Sequence, residues 1–127
     1  KNSPCSDGLW TTEQGEFFLE WYSAMLIAHG DAVLERAQEA FKGSNIMLAA
    51  KVAGIHWQSK TQSHGPELTA GYYNTEERNG YLPIAQMFAK RGAVFDFTCL
   101  EMHNSELPEW ARSAPEGLVH RCREAAK

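Results

Sequence analysis

The sequence contains few cysteines, and none of them lies close to another. Cys5, Cys99 and Cys122 are odd in number and far apart, with no Cys-x-x-Cys pair. Small domains that are stapled by disulfides or by a structural zinc ion show paired cysteines. We therefore expect neither a disulfide framework nor a zinc site, and a reducing compartment is the simpler interpretation.

Long apolar runs and clustered positive charges are also missing. No stretch approaches the roughly 18 consecutive apolar residues of a membrane-spanning helix, and the first residues do not resemble the apolar core of a signal peptide. The 12 Lys and Arg residues are scattered among 16 Asp and Glu residues, which gives a formal net charge of −4 at pH 7. Neither a membrane nor a nucleic acid is expected as a partner.

The chain has no internal repeat. Its histidines lack the spacing of metal ligands. We expect structural or surface roles for these residues, no metal site and no cofactor. The histidines in question are His29, His64, His103 and His120.

What is present is an ordinary globular composition, with 43% apolar residues spread over 127 positions. This length predicts a single domain, residues 1–127, with an irregular loop over residues 1–12. A helix should begin near Thr11 or Thr12, since Thr11 and Gln14 fit a capping box, and should end at Gly43. Gly30 and Asp31 form a candidate position for a bend or a break. The apolar stripe of this helix is predicted to contain Tyr22, Leu26, His29, Val33, Ala37 and Phe41.

Two short apolar runs, residues 46–52 and 93–98, are predicted to be strands, and the first is expected to be buried on both faces. A helix of a few turns should begin at Pro66, and another near Gly80, with an inward stripe of Tyr81, Ile84, Ala85 and Phe88 and an end at Gly92. A last helix, starting at residues 113–116 and running to the end of the chain, should place Leu118, Val119 and Cys122 on one side. The order of helix, strand, helix, strand, helix predicts an α/β fold.

Each predicted strand is followed by polar and aromatic residues. Parallel strands carry their chemistry at their carboxyl ends, in open sheets and in barrels alike. From the residues alone, Lys51 is equally well explained as a lysine extending past a strand edge. The His-Trp pair after it is, on the same basis, better explained as a loop anchored by a buried aromatic side chain. The candidates at these two ends are Lys51, His56 and Trp57, and Thr98, Cys99 and Glu101.

Several segments in register resemble the β-amylases of plants. They are residues 15–23 (GEFFLEWYS), 51–57 (KVAGIHW), 67–74 (ELTAGYYN) and 97–102 (FTCLEM), with residues 80–85 (GYLPIA) and 113–116 (SAPE) as further matches. The resemblance implies part of a (β/α)8 TIM barrel, of which this chain would hold about strands 5 and 6. It also implies a glycoside hydrolase that releases maltose from the non-reducing ends of α-1,4-glucans with inversion.

The resemblance assigns substrate binding, not catalysis, to this chain. Lys51, His56 and Trp57 would hold glucose units, and Thr98 would belong to a mobile inner loop. Cys99 and Glu101 would have supporting roles. Gln58 departs from the second Trp that is common in plant members, which puts affinity on the aglycone side in doubt.

The two catalytic glutamates of the family would lie upstream of the segment corresponding to Trp10 and downstream of Lys127, so none is expected in this chain. Its partners would be α-1,4-glucan or maltose, and other chains that complete the barrel or a larger assembly are a further expectation. The resemblance favours a plastid, with the cytosol second. The alternative is a non-catalytic β-amylase-like protein that binds glucan or acts as a regulatory or scaffold domain.

Overall fold

The computed structural model describes residues 9–127, in which helices alternate with two short parallel strands. Residues 1–8 of the predicted irregular loop, including Cys5, therefore lie outside the described residues. The remaining part of it contains a 3₁₀ turn, Leu9–Thr11. The helices are α1 (Glu13–Ala40), α2 (Gly65–Leu68), α3 (Leu82–Lys90) and α4 (Pro115–Ala125), and the strands are β1 (Ala49–Val52) and β2 (Val94–Phe97). This order confirms the α/β class.

Helix α1 begins after Thr12 and not after Thr11. The Thr12 hydroxyl accepts a hydrogen bond from the Gly15 N–H at 3.1 Å, so the predicted capping box at Thr11 and Gln14 is one residue out of register. No break occurs at Gly30, and the helix ends three residues before Gly43, which has a φ of 86°. A glycine is favoured there because other residues rarely adopt this backbone conformation.

The predicted apolar stripe of α1 is wrong. Tyr22, His29, Val33 and Phe41 are exposed, and the buried face consists of Gly15, Leu19, Ser23 and Leu34. The reason is that α1 carries apolar residues around much of its circumference, so periodicity alone does not select one face. Small residues decide it: the Ser23 hydroxyl is buried and donates to the Gly71 carbonyl oxygen at 2.8 Å.

The two strands pair in parallel, with Lys51 opposite Asp96 and Val52 opposite Phe97. The prediction that the first strand is buried on both faces is wrong. Val52 and Phe97 face the helices, whereas Lys51 and Asp96 are exposed on the opposite face, because successive side chains of a strand alternate between faces. Each strand also has only one neighbour among residues 9–127.

Helix α3 packs between α1 and α4 and against β2, and this arrangement forms the core. The stripe predicted for α3 is largely confirmed, since Tyr81, Ile84 and Phe88 are buried, while the buried Met87 was not predicted. The predicted helix at Pro66 is only a single turn, α2. In α4 the predicted inward residues Leu118 and Cys122 are buried. The main core consists of Leu34, Val52, Ile55, Tyr72, Tyr81, Ile84, Met87, Phe88, Phe97, Cys99, Leu118 and Cys122.

Candidate functional site at the carboxyl ends of the strands

Lys51 lies near the carboxyl end of β1, on the sheet face that is turned away from the helices. Its ammonium nitrogen is 3.8 Å from the Asp96 carboxylate on β2, and its side chain is 72% exposed. An ion pair this exposed contributes little to stability, so Lys51 is free to exchange Asp96 for another hydrogen-bond partner. Asp96 did not emerge from the sequence as a site residue; its signal is an acidic residue inside an otherwise apolar strand.

Thr98 joins the ends of the two strands. Its hydroxyl accepts a hydrogen bond from the Gly54 N–H and donates one to the Val52 carbonyl oxygen, both at 3.3 Å. These are long hydrogen bonds. The hydroxyl thus bridges the backbone that follows β1 to the backbone that follows β2, on the same edge of the sheet as Lys51.

Cys99 is a packing residue in this structure. It is 3% exposed, and its sulfur lies 3.8 Å from the sulfur of Met102. Burial raises the pKa of the Cys99 thiol, and the charge of Glu101 raises it further, so the reactive thiolate is disfavoured. Gly54 is required for this packing because a Cβ on it would lie 2.3 Å from the Cβ of Cys99.

Glu101 is exposed, and it forms no ion pair among residues 9–127. Its position after the buried Cys99 turns the carboxylate towards solvent, in the loop that follows β2.

The His56–Trp57 segment follows β1 and is held by backbone hydrogen bonds. The buried N–H of Ile55 donates to the Tyr72 hydroxyl at 2.9 Å, and the His56 carbonyl oxygen accepts from the Ser59 hydroxyl at 2.6 Å and from the Ala114 N–H at 3.2 Å. The two rings pack edge to face, with centroids 5.3 Å apart. The segment is therefore fixed on two sides, while Trp57 remains 45% exposed.

Two polar atoms of this segment are buried without a hydrogen-bond partner among the described residues. They are Nδ1 of His56 and Oε1 of Gln58. Buried polar groups are normally satisfied, so these two atoms are exceptions, and both are closed to solvent in this structure. Gln58 also has a φ of 62°, and backbone in this unusual region is enriched at functional sites.

Glu67 is a buried carboxylate that sequence reasoning treated only as a helix-start residue. It accepts hydrogen bonds from the N–H of Asn74 at 2.8 Å and from its side-chain amide at 3.0 Å, and the His64 ring lies 3.8 Å away. Asn74 in turn accepts from the Gly80 N–H. This network fixes the loop over residues 74–80. The signal in the sequence is an acidic residue followed seven positions later by Asn.

The described residues form two open clefts. The larger, of about 1610 Å³, runs along the first turns of α1 and residues 59–78. The smaller, of about 750 Å³, contains Trp110 and is called the Trp110 cleft below. Lys51, His56, Trp57 and Thr98 line neither of them, although Lys60 and Arg112 line both.

The described residues place no three His, Cys, Asp or Glu side chains in a group that could bind a metal ion. None of the helices within residues 9–127 is long and apolar enough to cross a membrane.

Comparison with known proteins gives a family and a set of relatives. The model of glycosyl hydrolase family 14 matches residues 2–127. The chain is 55% identical over 121 residues to a protein of Oryza sativa subsp. japonica named beta-amylase 1, chloroplastic; 94% of this chain and 23% of that protein are covered. It is 54% identical over 113 residues to beta-amylase 1, chloroplastic, of Arabidopsis thaliana, covering 89% and 20%.

A further relative is the beta-amylase of Glycine max, 53% identical over 114 residues, with 90% of this chain and 23% of that protein covered. The chain therefore spans 20–23% of the length of these three relatives.

Proposed function

The chain belongs to glycosyl hydrolase family 14, and from this we propose that it is the sugar-holding segment of a β-amylase. The parent protein would hydrolyse α-1,4-glucans from their non-reducing ends and release maltose with inversion. The observation that carries the proposal is the family match over residues 2–127, together with more than 50% identity to proteins named beta-amylase. Plastid localisation is part of the proposal, because two of these relatives are named chloroplastic.

The parallel pairing of β1 and β2 supports a place in a (β/α)8 barrel, in which we assign them as strands 5 and 6. In such a barrel the sheet face opposite the helices points to the barrel interior, and the carboxyl ends carry the active site. Lys51 stands on that opposite face, near the carboxyl end of its strand. The remaining strands would come from the rest of the parent protein.

Within this proposal each residue at the strand ends has a distinct task. The Lys51 ammonium donates hydrogen bonds to glucose hydroxyls near the scissile bond, where a flexible cation exchanges water and Asp96 for substrate. His56 binds hydroxyls of the sugars beyond that bond, and Trp57 covers the apolar face of a ring. Thr98 meets the bound sugar and helps to orient the attacking water.

Bond cleavage with inversion needs a carboxylic acid that protonates the leaving oxygen and a carboxylate that activates water on the opposite face. We assign both glutamates to parts of the parent outside residues 1–127. Glu101 supports the site and does not act as either of them. The chain on its own is then a binding segment without the groups that move protons.

The proposal is tested in a chimera, the Glycine max β-amylase whose matched segment is replaced by the corresponding residues of this chain. The expected result is maltose release, with the new reducing end in the inverted configuration when it is followed by proton NMR. A chimera that folds, as judged by circular dichroism, and binds maltooligosaccharide without releasing maltose would favour the non-catalytic alternative. The unmodified Glycine max enzyme is the control.

A further inference from the structure

Trp110 is the most exposed large apolar side chain of the described residues, at 79%. It lies on the 3₁₀ turn Glu109–Ala111, in the loop between β2 and α4. A single exposed apolar residue is ordinary on a protein surface. What distinguishes Trp110 is that it stands in the wall of a cleft that also contains charged and polar groups.

The Trp110 cleft has the size and lining of a site for a small polar ligand. Its volume of about 750 Å³ falls within the range of ordinary ligand pockets. Its charged lining residues are Lys60, Arg112 and Glu109. Neither Lys60 nor Arg112 forms an ion pair with a carboxylate among residues 9–127, so both cations can donate hydrogen bonds to a ligand.

The cleft is joined rigidly to the His56–Trp57 segment. The Gln58 N–H donates to the Ala111 carbonyl oxygen at 2.9 Å, and the Lys60 N–H donates to the Arg112 carbonyl oxygen at 3.0 Å. Trp57 immediately precedes Gln58, and Trp110 immediately precedes Ala111, so the first of these hydrogen bonds links the residues that follow the two tryptophans. Arg112 has a φ of 46°, a backbone conformation that loops rarely adopt outside sites with a special constraint.

The chemistry of the cleft suits a hydroxyl-rich ligand. An indole covers the apolar face of a sugar ring, while two cationic donors and the Glu109 acceptor serve hydroxyl groups on its edge. The carboxylate of Glu109 repels an anion such as phosphate.

We propose that the Trp110 cleft binds glucosyl units of an α-1,4-glucan beyond those held by His56 and Trp57, so that long chains bind more tightly than short ones. The inference rests on the proposed function, because it extends the same sugar-holding surface on the aglycone side. It assigns to Trp110, Lys60 and Arg112 a binding role that lies outside the strand ends.

The test compares a long linear maltooligosaccharide with maltotetraose as substrates of the chimera. Trp110→Ala should raise KM for the long substrate about fivefold or more, as expected for loss of an aromatic anchor, and leave KM for maltotetraose within about twofold. Trp110→Phe, which keeps an aromatic face, should retain most of the preference for long substrate. The control is His120→Ala, which removes an exposed ring from α4 outside both clefts and should change neither KM.

Direct binding separates this inference from the proposed function. In calorimetry with the long maltooligosaccharide, Trp110→Ala should weaken binding about fivefold even if the chimera releases no maltose, in which case the cleft stands and the catalytic proposal fails. Equal effects of Trp110→Ala on long and short substrates, or no effect on either, would overturn the inference. Displacement of the long maltooligosaccharide by inorganic phosphate would also overturn it and reassign the cleft to an anion.

Discussion

At the scale of single residues, the strand ends combine side chains that are poised to change partners. Lys51 has only a weak, exposed ion pair with Asp96, and Thr98 makes two long hydrogen bonds to backbone groups. His56 has a buried ring nitrogen without a partner among residues 9–127. Lys51 and Thr98 can therefore exchange their present partners for others without first breaking a strong hydrogen bond.

Removal of Lys51 or His56 should weaken turnover and leave the fold intact. In the chimera, Lys51→Ala and His56→Ala each remove hydrogen bonds to substrate and should each cost about 1 to 3 kcal/mol in kcat/KM. Lys42→Ala, which removes an exposed lysine after α1, is the matched control and should have no effect. Unchanged kinetics in both variants, with normal circular dichroism, would remove these residues from the site.

Thr98→Val tests whether this residue acts after substrate has bound. Valine keeps the shape and the β-branch but lacks the hydroxyl, so kcat should fall more than KM rises if Thr98 orients the attacking water. Thr69→Val is the control. The Thr69 hydroxyl also donates to a backbone oxygen, that of Pro66 at 2.7 Å, but Thr69 caps α2 and does not follow a strand. If Thr98 is merely a strand end, kcat should stay within about twofold, since such changes usually cost under about 0.5 kcal/mol.

At the scale of elements, the sequence predicted the helices and strands better than it predicted their buried faces. The parallel pair, the start of α4 and the stripe of α3 follow from caps, glycines and apolar spacing that act locally. The buried face of α1 does not, because Gly15, Ser23 and their contacts with Leu9 and Gly71 decide it. The positions of Lys51 and Thr98 near the strand ends were predicted, while their roles stay a prediction. The Trp110 cleft depends on contacts between distant segments, which no local pattern contains.

Tyr72 connects the core to the His56–Trp57 segment and offers a test of that connection. Its hydroxyl accepts the hydrogen bond from Ile55, and burial raises its pKa to about 12. Tyr72→Phe in the chimera leaves the Ile55 N–H buried without a partner and should lower the free energy of unfolding by about 1 to 3 kcal/mol, with a rise in KM. Tyr22→Phe, at an exposed position of α1, should change neither quantity. A KM unaltered by Tyr72→Phe would show that the segment is positioned without this residue.

The pairing of α1 with α3 should depend on pH through Asp31. The Arg91 guanidinium, at 2.6 Å, holds the pKa of the Asp31 carboxyl well below its ordinary range. A carboxyl group whose pKa is depressed by folding stabilises the folded state above its unfolded pKa, and that contribution is lost as the pH falls. Asp31→Asn should therefore lower the Tm of the chimera at pH 7, by a difference that shrinks below about pH 4. A Tm difference that is constant with pH would contradict this. The control is Glu39→Gln, which removes the carboxylate of the exposed ion pair between Glu39 and Arg36.

At the scale of the whole molecule, the described chain is one layer of helices on one face of a two-stranded sheet. The opposite face carries Lys51 and Asp96 and is exposed, and α1 exposes Phe17, Trp21 and Met25 on the side away from the core. Both surfaces suit contact with further strands and helices of a barrel. In the proposed function, activity belongs to the parent protein, and this chain would contribute the edge that holds sugar.

The isolated chain of 127 residues should release no maltose from soluble starch. The reason is that the proposed function assigns both the acid and the base that inversion requires to other parts of the parent protein. The measurement is reducing-sugar release against the chimera at equal molar concentration. Sustained maltose release by the isolated chain would refute the assignment of both catalytic glutamates to other parts of the parent.

The most direct test of the account compares Glu101→Gln with Lys51→Ala in the chimera by steady-state kinetics on maltooligosaccharide. The claim is that this chain holds the sugar and that its carboxylates do not catalyse. We expect Lys51→Ala to lower kcat/KM, and Glu101→Gln to lower kcat by less than about a hundredfold, the smallest loss typical of a missing general acid or base. Loss of all measurable turnover in Glu101→Gln, with the fold intact, would make Glu101 catalytic and contradict the account.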